Sequence, residues 1–268
     1  MVHRDHLAAL ARETVEIIDR GFYLNGRGER VELREQIEHA IAGTVEYAPD
    51  AELPNPEPKP GRVHVEVHQA GTLKAAHQLR DADPVALNFA SAKHPGGGFL
   101  LGAQAQEEEL ARDSALYACI RGRNMYRINR DHDRAYSHAM IYSPAVPVFR
   151  GGDDSLIDVP WLTAIITAPA PNAGVAKWRT PRETARLEAA LRERARRVLV
   201  VAHDHGHRNL VLGAWGCGVF RNDPGFVAAT FRDLLAGPFS GAFDLAVFAI
   251  LDRTRDQSVL EPFRAAFI

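Results

Sequence analysis

The reading of this chain turns on Pro95-Gly96-Gly97-Gly98-Phe99-Leu100-Leu101-Gly102-Ala103-Gln104-Ala105-Gln106-Glu107-Glu108. Three consecutive glycines are followed, after seven intervening residues, by Gln-Glu-Glu. Glycine adopts positive φ at little cost and lets backbone approach a ligand closely. The acids fall where a helix begins, and Glu107, Glu108 and Glu109 in its first turn complement the helix dipole whether or not they do chemistry. Just upstream, Val85–Ala90 reads as a buried strand, so the glycines leave from a strand's carboxyl end.

Outward from this stretch, strands and helices alternate. Residues 62–67 alternate like a strand and 72–80 have helical spacing. Ala105–Gly122 reads as one long helix stopped by Gly122. Residues 139–143 and 164–168 are short β-rich runs. A helix is predicted from Pro181, which suits a first turn, to about Val201. Strand 209–213, helix 224–235, strand 243–251 and a closing helix at 256–266 complete the pattern. Such alternation predicts an α/β layered domain with a mostly parallel or mixed sheet, whose ligands sit at the carboxyl ends of strands. On the N-terminal side, residues 5–20 carry an apolar stripe of Leu7, Leu10, Val15 and Ile18, and 33–42 read as a second short helix. Pro54-Asn55-Pro56-Glu57-Pro58-Lys59-Pro60 cannot be helical, because each proline removes a donor and restricts its predecessor. The expected organisation is a helical extension with a proline-rich linker over 1–60 and the main domain over 61–268.

A second glycine-bearing segment, Gly213-Ala214-Trp215-Gly216-Cys217-Gly218-Val219-Phe220, follows the strand at 209–213 and precedes Asn222-Asp223-Pro224. Backbone N–H groups in such a turn can cradle a diphosphate without side-chain charge. The same residues would also serve as a plain strand-to-helix turn.

Taken together, the triple glycine, the seven-residue spacer and Gln106-Glu107-Glu108 resemble the signature of poly(ADP-ribose) glycohydrolases. The flanking Asn88-Phe89-Ala90-Ser91-Ala92-Lys93-His94-Pro95 and the later Gly213–Phe220 segment resemble the compact, bacterial-type form of that family. The resemblance runs from the first helix to the last strand. It implies a macrodomain-like α/β fold, a mixed sheet flanked by helices with an N-terminal helical extension. It implies hydrolysis of ribose–ribose glycosidic bonds in poly(ADP-ribose), with Glu108 as general acid and then general base, Glu107 on the distal-ribose hydroxyls and Gln106 positioning the substrate. Gly96, Gly97 and Gly98 would form the first binding loop. Ala214, Trp215, Gly216, Cys217, Gly218 and Val219 would grip the diphosphate, and Phe220 would pack beside the distal ribose. Asn88 and Ser91, where the larger animal enzymes tend to carry Asp and Asn, either hydrogen-bond ribose or cap the turn. No metal or organic cofactor is implied. The expected partners are poly(ADP-ribose), ADP-ribose and poly-ADP-ribosylated proteins, the setting a DNA damage response and the state a monomer. Two other readings stay open: a non-catalytic ADP-ribose-binding module, which would not need the glutamates, and a hydrolase of mono-ADP-ribose linkages.

The bulk properties agree. The 268 residues suffice for one large α/β domain, and 46% hydrophobic with 25% charged residues is ordinary globular composition. A net charge of −2 argues against a general electrostatic grip on nucleic acid. Cys119 and Cys217, the only cysteines, make no disulfide framework and fit a reducing compartment. The N-terminus lacks the apolar core of a signal peptide, and the apolar run Leu245–Leu251 is too short to span a bilayer. A cytoplasmic protein without membrane or nucleic-acid partners is expected. No Walker A pattern is present. His203, His205 and His207 would share one face of a strand as a metal site, or else decorate a helix end. Trp161 and Trp178 are candidates for an adenine pocket or for the core.

Overall fold

The computed structural model describes residues 2–174 and 180–268. Helix α1 (Val2–Arg20) is followed by a small hairpin, β1 (Phe22–Leu24) and β2 (Arg30–Glu32), then α2 (Arg34–Ala42) and β3 (Val45–Tyr47). The main alternation comprises β4 (His64–His68), α3 (Thr72–Gln78), β5 (Pro84–Phe89), α4 (Gln106–Asp113), α5 (Leu116–Ile120) and α6 (Asn124–Arg130). It continues through β6 (Met140–Arg150), β7 (Leu156–Ala168), α7 (Pro181–Asp204), β8 (Asn209–Leu212), α8 (Pro224–Ala236), β9 (Leu245–Ala249) and α9 (Leu260–Ala266).

The seven-stranded sheet has the order β3-β6-β7-β5-β8-β9-β4. Its β7, β5, β8, β9 and β4 run parallel, whereas β6 is antiparallel to both β3 and β7. Alternation along β5 splits the core. Val85 and Leu87 pack with α7, α8 and α9, while Ala86, Asn88 and Ala90 face the opposite layer of α1 to α6. Aromatics fill the first layer, with Phe231, Phe239, Phe243, Phe248 and Phe263 all fully buried. Each contributes roughly 2–3 kcal/mol of apolar burial. The mixed sheet flanked by helices is the architecture expected from the sequence.

Three features depart from that expectation. The N-terminal segment is no detached extension: β3 pairs with β6 as the sheet's edge, and Ile17, Ile18, Leu33 and Ile37 join the same cluster as Leu110, Val148 and Phe149. The buried stripe of α1 runs through Leu7, Ala11, Thr14, Ile17 and Ile18, so Leu7 and Ile18 of the expected stripe are buried while Leu10 and Val15 are half-buried. The proline segment is laced to α7, where Arg196 donates to the Leu53 carbonyl at 2.6 Å and to Asn55 Oδ1 at 2.8 Å. Finally, the single helix expected over 105–122 is two. Ser114 is extended, bridges to Val148, donates to the Leu110 carbonyl at 2.6 Å and accepts from the Leu116 amide. A serine side chain that competes for backbone groups breaks the helix in the middle of an otherwise good pattern.

Candidate active site

The carboxyl ends of β4, β5, β8 and β9 open into one cavity of about 1160 Å³. After β5 the chain turns tightly: Ser91 Oγ accepts from the His94 amide at 3.2 Å, and Gly96 and Gly97 take φ of +69° and +59°. A Cβ on Gly97 would displace the Glu108 carboxyl and crowd that of Glu107. Glycine is therefore required both by conformation and by the approach of the acids.

Gln106 begins α4 and pins it to β5. Its Oε1 accepts from the Phe89 amide at 2.8 Å, and its Nε2 donates to the Leu87 carbonyl at 2.8 Å and to Thr72 Oγ1 at 3.1 Å. These bonds occupy both ends of the Gln106 amide. Its role is to fix the helix start, one step removed from the substrate contact that the family resemblance implies.

Glu107 is 3% exposed, and its Oε2 accepts from the Ser91 amide at 2.6 Å. Burial, above all, and the charge of Glu108 push its pKa up to about 8, against hydrogen bonds from Ser91, Asn88 and Gly96 that pull it down. Glu108 is half-buried, lines the cavity, and accepts from the Gly98 amide at 2.9 Å through Oε1. Neighbours on a helix ordinarily diverge by about 100°. Here the glycine turn wraps the helix start so that both carboxyls approach Gly97, and Glu108 is held by the Gly98 amide. With its pKa raised to about 8, Glu107 is mostly protonated at neutral pH.

The second loop is held by Asn222, whose amide donates to the Pro171 carbonyl at 2.8 Å and to the Gly216 carbonyl at 3.0 Å. Gly216 has φ of +74°, and a Cβ there would strike Asn222 and Ala170. Among the described residues, the amides of Gly218, Val219 and Phe220 meet no acceptor. They precede α8, which Asp223 caps by accepting from Phe226 at 2.7 Å. A row of free backbone amides in a loop can cradle an anion. Ala214, Gly216, Cys217, Gly218, Val219 and Phe220 line the cavity, as do Ser91, Gly97, Gly98, Gln106, Glu107 and Glu108.

Three of the expected contact residues lie off the cavity wall. Trp215 is fully buried and donates from Nε1 to the Ala168 carbonyl at 3.0 Å, so it anchors the second loop to β7. Asn88 is also fully buried, donating to Thr167 Oγ1 at 3.2 Å, and acts behind Glu107. Gly96 is buried beneath Phe99. Further walls carry no motif in the sequence: Ala70–Thr72 after β4 and Ile250–Thr254 after β9, with His3 and Leu7 of α1 and Gly152 and Asp154 after β6. The first two follow parallel strands, and that position is the signal that would have found them. Glu109, read only as a first-turn acid, lines the cavity between them near Arg253.

The histidines do not form a metal cluster. His203 lies in the last turn of α7. His205 stacks on Tyr142 at 3.6 Å and hydrogen-bonds Tyr47 at 2.8 Å, while His207 bonds the Tyr142 hydroxyl at 2.9 Å. Among the described residues, no group of three or more His, Cys, Asp or Glu is arranged to hold a metal ion. Burial raises the Cys217 thiol to about 12, which removes it as a nucleophile. Trp161 packs beside His77 with the sheet, and Trp178 lies outside the described residues.

The family profile of the microbial-type PARG catalytic domain matches residues 11–151. A search of curated protein sequences returned no match. Among solved structures, the poly(ADP-ribose) glycohydrolase of Thermomonospora curvata superposes with a TM-score of 0.89 at 42% identity, over 98% of this chain and 100% of that one. The same enzyme bound to the inhibitor ADP-HPD matches at 43% identity with a TM-score of 0.89, over 98% of this chain and 100% of that one. The Deinococcus radiodurans enzyme in complex with ADP-ribose matches at 44% identity with a TM-score of 0.82, over 88% of this chain and 98% of that one. With two glycine loops and a Gln-Glu-Glu helix start converging on one cavity, the chain belongs to the microbial-type poly(ADP-ribose) glycohydrolase family.

Proposed function

We propose that this protein hydrolyses the ribose–ribose glycosidic bonds of poly(ADP-ribose) and releases ADP-ribose. The observation that carries this reading is the sharing of one cavity by the Glu107–Glu108 pair and the free amides of Gly218–Phe220. The amides hold the diphosphate of the terminal unit, and Phe220 packs beside its distal ribose. Glu107 accepts hydrogen bonds from that ribose. Glu108 gives its proton to the departing ribose oxygen as the glycosidic C–O bond breaks. Positive charge develops on the ribose carbon in an oxocarbenium-like transition state, and the substrate's own diphosphate lowers its cost. Water then adds to that carbon and passes its proton to the Glu108 carboxylate, which restores the acid. The chemistry needs no metal or organic cofactor.

A binding module would gain nothing from burying Glu107 in its costly site, so the pair favours the enzyme. No helix among the described residues is long and apolar enough to cross a membrane. We place the protein in the cytoplasm, as a monomer acting on poly-ADP-ribosylated proteins in a DNA damage response. Incubation with labelled polymer and separation of the products tests the function. Stepwise release of ADP-ribose supports it. Intact polymer would leave the binding module, and unmodified acceptor protein in quantity would favour the mono-ADP-ribosyl hydrolase.

A further inference from the structure

Between α6 and β6, Tyr136 takes φ of +55°, a left-handed backbone that bulky side chains rarely adopt. Such strain persists only where the surroundings over-determine it, and it clusters at ligand-binding and catalytic sites. The turn Asp133–Tyr136 is held from within and from two neighbours. The Asp133 carbonyl accepts from the Tyr136 amide at 3.1 Å, and Asp133 Oδ1 accepts from the Ala135 amide at 2.9 Å. The Arg134 carbonyl accepts from the Asn172 amide at 2.8 Å. From α7, the fully buried Arg194 donates to the Ala135 carbonyl at 2.8 Å, the Tyr136 carbonyl at 3.2 Å and the Pro169 carbonyl at 2.7 Å. These bonds of a buried guanidinium all go to carbonyls, and an uncompensated buried charge is unfavourable, so the hold on the turn is a strong requirement of the sequence. What the turn presents is the Tyr136 ring. Its centroid lies 5.9 Å from that of Phe220, with the planes inclined by 47°, an attractive arrangement of two aromatic rings. Phe220 lines the cavity and Tyr136 does not. Residues 169–173 join the two, because the Ala173 amide donates to the Phe220 carbonyl at 2.8 Å next to the Asn172 bond to the turn.

We propose that Tyr136 is a positioning residue, whose ring fixes the rotamer of Phe220 and so the face that Phe220 presents to the ribose of the bound unit. This rests on the glycohydrolase reading above. The Phe220 backbone is tied at its carbonyl, but its half-buried side chain can still choose among staggered rotamers at the cavity wall. The Tyr136 ring selects one of them. With an ordinary negative φ the Cβ of residue 136 would leave the turn in another direction and the ring would miss Phe220, which gives the strained backbone its purpose. The ring, and not the hydroxyl, carries the role.

The test is a double-mutant cycle between Tyr136→Gly and Phe220→Ala, read by ADP-ribose affinity in calorimetry and by kcat and KM on polymer. Glycine accepts left-handed backbone freely, so Tyr136→Gly removes the ring and leaves the turn. Alone it should weaken ADP-ribose affinity about three- to tenfold and lower kcat about tenfold, while Tyr136→Phe should stay within about twofold of the wild type in both. In the Phe220→Ala background, Tyr136→Gly should change either quantity by less than about twofold, because the ring then has nothing to hold. Wild-type affinity and kcat in Tyr136→Gly, equal losses in both backgrounds, or a Phe variant as impaired as the Gly variant would overturn the proposal. So would a Gly variant that no longer unfolds cooperatively, because the ring would then belong to the core. Failure of the wild-type protein to cleave polymer would instead count against the glycohydrolase reading and leave the affinity cycle standing.

Discussion

Replacing Glu107 with Gln should make the protein more stable, and the gain should grow with pH. In an unfolded chain this carboxyl has its ordinary value of 4.5, and in the folded protein burial raises it to about 8. The sign follows from proton uptake. Between these values the folded state holds a proton that the unfolded state has lost, so stability falls as pH rises above 4.5 and levels off above about 8. At about 1.36 kcal/mol per pH unit, the burden is about 3 kcal/mol at pH 7 and about 5 kcal/mol above pH 8. Gln removes it and fits the site. Its carbonyl can accept from the Ser91 amide, and its NH2 group can donate to Asn88 Oδ1, which has no partner among the described residues. The melting temperature should therefore rise on the order of 5–10 °C at pH 7, with little change at pH 5. Thermal and urea unfolding of both proteins at pH 5, 7 and 8.5 measure this. A Gln variant less stable than the wild type at pH 8.5, or a gain equal at all three values, would refute the argument.

Other expectations follow from the loops and from the groups set aside. Gly97→Val should both destabilise the fold, by roughly 1–2 kcal/mol from its left-handed backbone, and displace Glu108, so that activity disappears. Gly218→Val should leave the melting temperature unchanged, because a Cβ there meets nothing within 4 Å, yet weaken ADP-ribose binding in calorimetry by crowding the amide row. Cys217→Ala should retain turnover on polymer, and iodoacetamide should not inactivate the wild type, because the thiol is held near 12. Activity should survive EDTA; inactivation reversed by zinc would return the histidines to consideration.

The sheet and the two loops were legible because their signals are local. A buried apolar run ending in Asn88-Phe89, and another ending at Leu212, each give way to glycine, and both loops reach the cavity. The break at Ser114 was not legible, because it depends on pairing with Val148, a residue of β6 far along the chain. The edge strand Val45–Tyr47 was missed for the same reason, being held by Met140–Tyr142. At the site, residue types revealed Glu107 and Glu108, but the direction of a side chain is a tertiary fact. Gln106 and Trp215 both turn inward to carbonyls of the sheet and serve as struts. The walls at Ala70–Thr72 and Ile250–Thr254 carry no glycine run and were hidden by their ordinary composition.

Whether Glu108 is the acid that cleaves the glycosidic bond is decided by Glu108→Gln. The variant keeps the shape of the side chain and the oxygen that accepts from Gly98, while losing the transferable proton. The measurement is the rate of ADP-ribose release from polymer, with ADP-ribose affinity determined on the same preparation. The rate should fall by about 10²- to 10⁴-fold, or about 3–5 kcal/mol of barrier, with affinity nearly intact. A variant that keeps more than about a tenth of the wild-type rate would contradict that role.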